Sequence, residues 1–310
     1  MSASSSGKHL WAFITLLRPT HTIKHLLLLV PISAAHRWTA TERLPALCLG
    51  CFAFCLCSWS VYIVNDTLDA THDRSHPIKR LRPFAAGMLA TKWSLPFVVL
   101  LLSAAVAVAC CTRSPVFVAI LVIYFICGAL YSFTFKAIAC VDVLVLVLLY
   151  MLRICAGGAL AQVWLSQSLT VFAFFVFASI ALAKRHSELV RLRRTGCKAS
   201  TIVPGRGYAI SDIWFVETLG ITCGVLSVLT LSIYLRSTNV ARLYQCPSIL
   251  WVLCPVLVFW IGRLWLVSAR GMSHDDPVRY FITDLPTLVA AVLAFGVVRL
   301  SLLPCPLCVP

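Results

Sequence analysis

The sequence predicts an all-α, polytopic membrane protein, a bundle of nine transmembrane helices with its active-site loops on the cytoplasmic side. Three observations carry that expectation. Of 310 residues, 60% are hydrophobic and only 12% charged, whereas about a quarter of a soluble domain is charged. The mean hydropathy is +0.92. Apolar runs near 20 residues, the length that crosses a hydrocarbon layer, recur along nearly the whole chain. Disorder, collagen, coiled coil and a secreted disulfide scaffold are excluded. A balance of 26 Lys+Arg against 11 Asp+Glu, net +15, would point to nucleic acid in a soluble chain. In a membrane protein it is the excess that cytoplasmic loops carry, so no nucleic-acid partner is expected.

In chain order the apolar segments are 22–37, 44–64, 93–112, 115–134, 141–161, 168–183, 213–235, 248–269 and 285–303. Long polar loops follow the second (65–92), the sixth (184–212) and the eighth (270–284). Residues 1–15 are expected to be a flexible lead into a single domain covering 1–310. The start, MSASSSGKHLW, has no small-residue cleavage site, so the chain is expected to stay whole. Most of the fifteen cysteines lie in apolar runs, where a thiol behaves as a small hydrophobe.

Sidedness follows from the basic residues. Arg37, Arg43, Arg113, Arg236, Arg242 and Arg299 fall on one side, Arg153 and Arg263 lie within spans, and the other 18 of the 26 fall on the opposite side. That richer side is expected to be cytoplasmic, with the N-terminus inside, in a multi-pass protein of the inner (plasma) membrane. Acidic residues do little to set topology, yet all but Glu42 gather at or near this same side. A site is the simplest cause.

The strongest signal is VYIVNDTLDATHDRSHPIKRLRPFAAG, residues 61–87. Asp66, Asp69 and Asp73 are spaced three and four apart, so on a helix they share one face. Three like charges on one face repel unless a cation sits between them. Carboxylate oxygens are hard ligands suited to Mg2+ that also binds substrate phosphates, with Asn65 as an orienting or additional ligand. Arg74, Lys79, Arg80 and Arg82 follow as phosphate donors. A second acidic set, Asp275, Asp276 and Asp284, lies in the loop before the last segment. Two carboxylate clusters can clamp two metal ions around one diphosphate. Lys24 lies at the first span, Tyr131, Lys136 and Asp142 between the fourth and fifth, and Lys184, Arg185 and Glu188 on a helix leaving the sixth. Arg153 falls inside the fifth span, where an arginine costs at least about 3 kcal/mol on insertion scales and is a functional candidate by default.

These motifs resemble the UbiA superfamily of intramembrane prenyltransferases over nearly the whole chain. The likeness is nearest to its decaprenyl-phosphate phosphoribosyltransferase branch, through LRPTHTIKHLLLLVP, NDTLDATHDRSHPIKRLRPFAAG, YSFTFK with Asp142, LRICAGGA, LAKRHSEL and HDDPVRYFITD. Ala70, Thr71, His21, Thr22 and His25 depart from the family pattern and bear on the acceptor more than on the chemistry. The resemblance implies a Mg2+-dependent transferase that moves 5-phosphoribose from phosphoribosyl diphosphate (PRPP) to a polyprenyl phosphate. Asp66, Asp69 and Asp73 would hold the metal, and Lys24, Arg74, Lys79, Arg80, Arg82, Lys136 and Lys184 would neutralise phosphate charge. The rival is transfer of a prenyl group from prenyl diphosphate to an aromatic acceptor, with Tyr62, Tyr124, Phe125 and Tyr131 facing the allylic cation. A transporter fits less well, because transport sites lie at the bilayer midplane and these acids gather at one face. Oligomeric state is not legible.

Overall fold

A computed structural model describes residue 16 and residues 18–36, 41–74, 79–271 and 283–304. These residues form helices and turns, with one isolated antiparallel bridge between Ile202 and Ala209. Among the described residues seven helices are long and apolar enough to cross a membrane, and Thr22–Ala34 and Leu285–Leu300 are shorter apolar helices. The class is as expected. The first and ninth segments are the short ones.

The chain divides into two compact units. The first comprises Met1–Trp164 with Pro204–Arg206, the second Leu165–Val203 with Gly207–Pro310. In the first, a 3-10 segment, Pro19–Leu29, leads into α1 (Val30–Ala34) and is followed by α2 (Leu44–Asp73), α3 (Ser94–Cys111), α4 (Pro115–Phe133) and α5 (Val141–Ala161). Helix α2 has 30 residues and at 1.5 Å per residue is about 45 Å long, against a hydrocarbon thickness of about 30 Å. Its apolar part, 44–64, accounts for the crossing. The last turns, which carry Asp66, Asp69 and Asp73, therefore reach the membrane boundary as helix rather than as loop.

Leu28, Ile32, Phe54, Cys57, Leu121, Tyr124, Leu149 and Leu160 form the core of this unit. Lipid tails are as apolar as leucine, so close packing rather than hydrophobicity joins such helices. The tightest approach is at Gly157 on α5, where an added Cβ would lie 2.0 Å from the carbonyl oxygen of Leu28. At the far end of α5, Gln162 adopts left-handed backbone (φ 53°) and its side chain accepts from Arg43 Nη2 at 2.6 Å.

The second unit contains α6 (Gln167–Arg194), α7 (Ile213–Leu235), α8 (Thr238–Leu243), α9 (Leu253–Ala269) and α10 (Leu285–Leu300). Buried hydroxyls hold three of these helices together. Ser179 Oγ donates to the Gly220 carbonyl at 2.9 Å and accepts from Trp265 Nε1 at 3.0 Å. Ser268 Oγ donates to the Ala183 carbonyl at 2.9 Å, so its 2.8 Å contact with His186 Nδ1 is one it accepts. Asp284 caps α10, accepting from the Thr287 backbone at 3.1 Å and its hydroxyl at 2.8 Å, and it receives Arg263 Nη2 at 2.8 Å and Nε at 3.3 Å.

Two outcomes follow. Gly157→Ala is expected to lower stability by about 1–3 kcal/mol, the usual cost of overpacking, while Gly262→Ala, with open space around it, leaves it unchanged. Thermal melts in detergent read both. The Arg263 hydrogen bond, with smaller help from Thr287, holds the Asp284 carboxyl below the usual carboxylate range. A depressed folded-state pKa means that this group adds stability above its unfolded pKa and loses it as pH falls through the folded value. Wild type should therefore lose more stability than Asp284→Asn on acidification through that window, measured by melting against pH.

A candidate active site at the carboxylate cluster

The end of α2 is an unfavourable place for negative charge, because the helix dipole is negative there. Asp66 is 2% and Asp73 5% exposed, so water does little to compensate. Cations from three other stretches of chain do so. Arg18, just before the leading 3-10 segment, donates from Nη2 to Asp66 Oδ1, and its guanidinium lies 5.2 Å from the centre of the Tyr62 ring. Arg82 Nη1 reaches Asp66 Oδ1 at 3.2 Å and Asp73 Oδ2 at 2.7 Å. Lys136, from the turn between α4 and α5, donates to Asp69 Oδ1, and Asn65 Nδ2 donates to Asp69 Oδ2 at 3.1 Å.

Local sequence explains each delivery. Arg18 takes a left-handed conformation (φ 48°) immediately before Pro19, a strained geometry for an arginine that turns the chain toward α2. Phe84 is buried among Leu16, Ile63, Ala70 and Val98, and the Met88 amide closes a turn on the Pro83 carbonyl at 2.9 Å. That plug holds the loop against α2 with Arg82 over the carboxylates. Asp142 is fully buried in the first turn of α5, and Tyr131 accepts from Arg206 Nη1 at 2.8 Å.

Of the residues expected from sequence, the structure therefore brings together Asn65, Asp66, Asp69, Asp73, Arg82 and Lys136. Lys24 is half-buried, and Arg74 and Arg80 are exposed. Lys79 lies in a 3-10 turn, Lys79–Leu81. In the second unit Arg185 is 1% exposed and closes on Glu188 at 2.7 Å, beside half-buried Lys184. Asp284 is occupied as a helix cap. Asp275 and Asp276 lie outside the described residues. Arg153 is buried on α5 and bonded to the Tyr124 hydroxyl. Arg18 enters the sequence expectation only within LRPTHTIKHLLLLVP, and Arg206 and Arg263, the partner of Asp284, have no role in it. The Arg-Pro step was the available signal for Arg18. Nothing local marked the other two, since their partners lie 75 and 21 residues away.

Three carboxylates and three cations thus neutralise one another at one helix end. The same cations are the donors nearest to any phosphate brought there. Among the described residues no three of His, Cys, Asp and Glu converge as a ready-made metal cage. Asp66, Asp69 and Asp73 are hard oxygen donors, the ligand type that Mg2+ takes together with substrate phosphates.

Residues 26–285 match the UbiA prenyltransferase family. The nodulation protein NoeC of Azorhizobium caulinodans is 33% identical over 289 residues, covering 91% of each chain. A decaprenyl-phosphate phosphoribosyltransferase of Mycolicibacterium smegmatis is 30% identical over 276 residues, 87% of this chain and 86% of that one. The solved structure of a UbiA homolog from Archaeoglobus fulgidus, bound to GPP and Mg2+, superposes with a TM-score of 0.66 at 16% identity, covering 93% of this chain and 99% of that one. The chain belongs to the UbiA prenyltransferase family and is a membrane-embedded transferase.

Proposed function

We propose that this protein transfers 5-phosphoribose from PRPP to a polyprenyl phosphate and releases diphosphate. The observation that carries this reading is the carboxylate cluster met by Arg18, Arg82 and Lys136. It is supported by a 30%-identical relative named as a decaprenyl-phosphate phosphoribosyltransferase that matches 87% of the chain. In the reaction the bond from C1 of the sugar to the diphosphate oxygen breaks, and a bond from C1 to a lipid phosphate oxygen forms. C1 gains cationic character and the leaving diphosphate gains charge. Asp66, Asp69 and Asp73, with Asn65, would hold Mg2+, which supplies charge neutralisation of the diphosphate. Arg82 and Lys136, with Arg74, Lys79 and Arg80 near Arg82 in sequence and Lys24 near Arg18, stabilise the departing oxygens. The lipid phosphate is already anionic, so no strong general base is needed. An acceptor with a polyprenyl tail accounts for burying the enzyme in a bilayer.

Prenyl transfer is the second reading, favoured by the fold shared with a homolog solved with GPP and Mg2+. Purified protein incubated with Mg2+ and either PRPP plus polyprenyl phosphate, or prenyl diphosphate plus an aromatic acid, decides between them by mass analysis of the lipid products. A phosphoribosylated lipid is expected. A prenylated aromatic in its place overturns the proposal.

The carboxylate end is proposed to face the cytoplasm, as the basic residues indicate. Cys246, which follows α8, is disulfide-bonded, a state that persists in oxidising compartments. Cys197, free and exposed in the loop between α6 and α7, should react with an impermeant maleimide only from the cytoplasmic side when it is the sole cysteine retained.

Asp69→Asn and Asp66→Asn are expected to lower turnover by far more than tenfold, about 1.4 kcal/mol of barrier, while membrane insertion is unchanged. Steady-state rates and a melting curve check this pair. Arg82→Met, which leaves Asp66 and Asp73 short of a partner, should cost both stability and turnover.

A further inference from the structure

A second polar group lies deeper in the first unit. Arg153 is 4% exposed. Its Nη1 donates to the Leu149 carbonyl at 2.7 Å and its Nη2 to the Tyr124 hydroxyl at 2.5 Å. The guanidinium sits 4.7 Å from the Tyr124 ring centre and 5.6 Å from that of Tyr150. Its Nε is buried with no hydrogen-bond partner, and among the described residues no carboxylate pairs with it. His25, 3% exposed, lies within electrostatic reach of Arg153, and its Nδ1 is likewise buried without a partner.

Register explains why these two residues meet. The leading 3-10 segment starts beside the carboxylates through Arg18, and α5 starts beside them through Lys136, so both run away from the cluster. They touch at Leu28 and Gly157, and His25 and Arg153 lie one turn nearer the cluster on each. Along α2, the residues Ser58, Tyr62 and Asp66 share a face at one-turn spacing. Ser58 contacts the Tyr124 hydroxyl at 3.2 Å, and Tyr62 underlies Arg18. Two helical turns, about 11 Å, therefore separate the Arg153 group from the carboxylates, with Tyr62 between them.

This buried guanidinium is held by a carbonyl, one hydroxyl and aromatic rings, none of which carries a countercharge. Cation–π contact returns less than the insertion cost of an arginine, and unpaired buried donors call for a partner. Arginine carries five N–H donors and only two are used here. The vacant Nε–H, the remaining Nη protons and His25 make a fork that matches a tetrahedral anion.

We infer that Arg153, with His25 and Tyr124, forms an intramembrane subsite for a phosphate monoester, distinct from the diphosphate end at Asp66, Asp69 and Asp73. The assignment rests on the proposed phosphoribosyl transfer, in which two groups have this chemistry: the 5-phosphate of the donor and the phosphate of the lipid acceptor. Arg153 binds one of them and sets its distance from the diphosphate.

The test uses full-length protein in detergent with Mg2+, as wild type, Arg153→Met, Arg153→Lys and Tyr124→Phe. Inorganic phosphate should raise the melting temperature of wild type and not that of Arg153→Met, while inorganic diphosphate protects both equally. In turnover, Arg153→Met should raise one KM by roughly 10- to 100-fold, the scale of one charged hydrogen bond left unmade. A rise for PRPP, with loss of inhibition by ribose 5-phosphate, assigns the sugar phosphate. A rise for polyprenyl phosphate assigns the lipid. Arg153→Lys, which keeps the charge without the fork, should fall between, and Tyr124→Phe should move the same KM in the same direction. Should Arg153→Met fail to fold, these two variants decide, and unchanged KM values in both overturn the subsite. Equal phosphate protection of wild type and Arg153→Met overturns it too, as does protection of wild type by an aromatic carboxylate but not by phosphate. Absence of PRPP turnover by wild type would sink the transfer reading alone, because the phosphate-protection arm still decides the subsite.

Discussion

Three carboxylates at the C-terminal end of a transmembrane helix are the constraint around which the first unit is arranged. The helix dipole, mutual repulsion and burial all act against them, and leaving one such charge unpaired costs about 3–5 kcal/mol. The compensating cations cannot come from α2 itself, since its last turns are already acidic. They arrive from Arg18 before the first apolar segment, Arg82 in the loop after α2 and Lys136 between α4 and α5. One electrostatic requirement thereby fixes where three connections must run.

Those connections show how the requirement is met at modest cost. Strain at Arg18 is confined to one residue, and Pro19 then fixes the next φ and opens the apolar segment. The 82–89 loop is held by a buried phenylalanine rather than by its own charges, so Arg82 keeps its freedom to exchange one anionic partner for another. Under the proposed transfer, such exchange would keep donors in place for a phosphate and free carboxylates for a metal.

Much of this was legible in the chain. The spans follow from apolar run length, and the site follows from Asp66, Asp69 and Asp73 at helical spacing beside basic residues. Two kinds of feature were not legible. One is where α2 ends, because hydropathy stops at residue 64 while the helix runs on to Asp73. Long-range partners such as Arg206 with Tyr131, or Arg263 with Asp284, depend on the register between helices, which in a membrane is set by small residues rather than by a hydrophobic stripe. Gly157 could be read as a packing residue, but its partner, Leu28, could not.

The buried charges separate by the reach of their partners. Arg185 closes on Glu188 three residues away, and Asp284 caps its own helix while holding Arg263. Each of these pairs is satisfied within its unit and stabilises a helix or its end. In the first unit Arg18 and Lys136 pair with residues 48 and 67 positions away, Arg82 with residues 9 and 16 away, and Arg153 finds only neutral partners. A pair needed for stability alone is made most simply at short range, where ordering it costs little chain entropy. Charges gathered from distant segments onto one helix end, and a further charge left open below them, fit a surface shaped for anions from outside the chain.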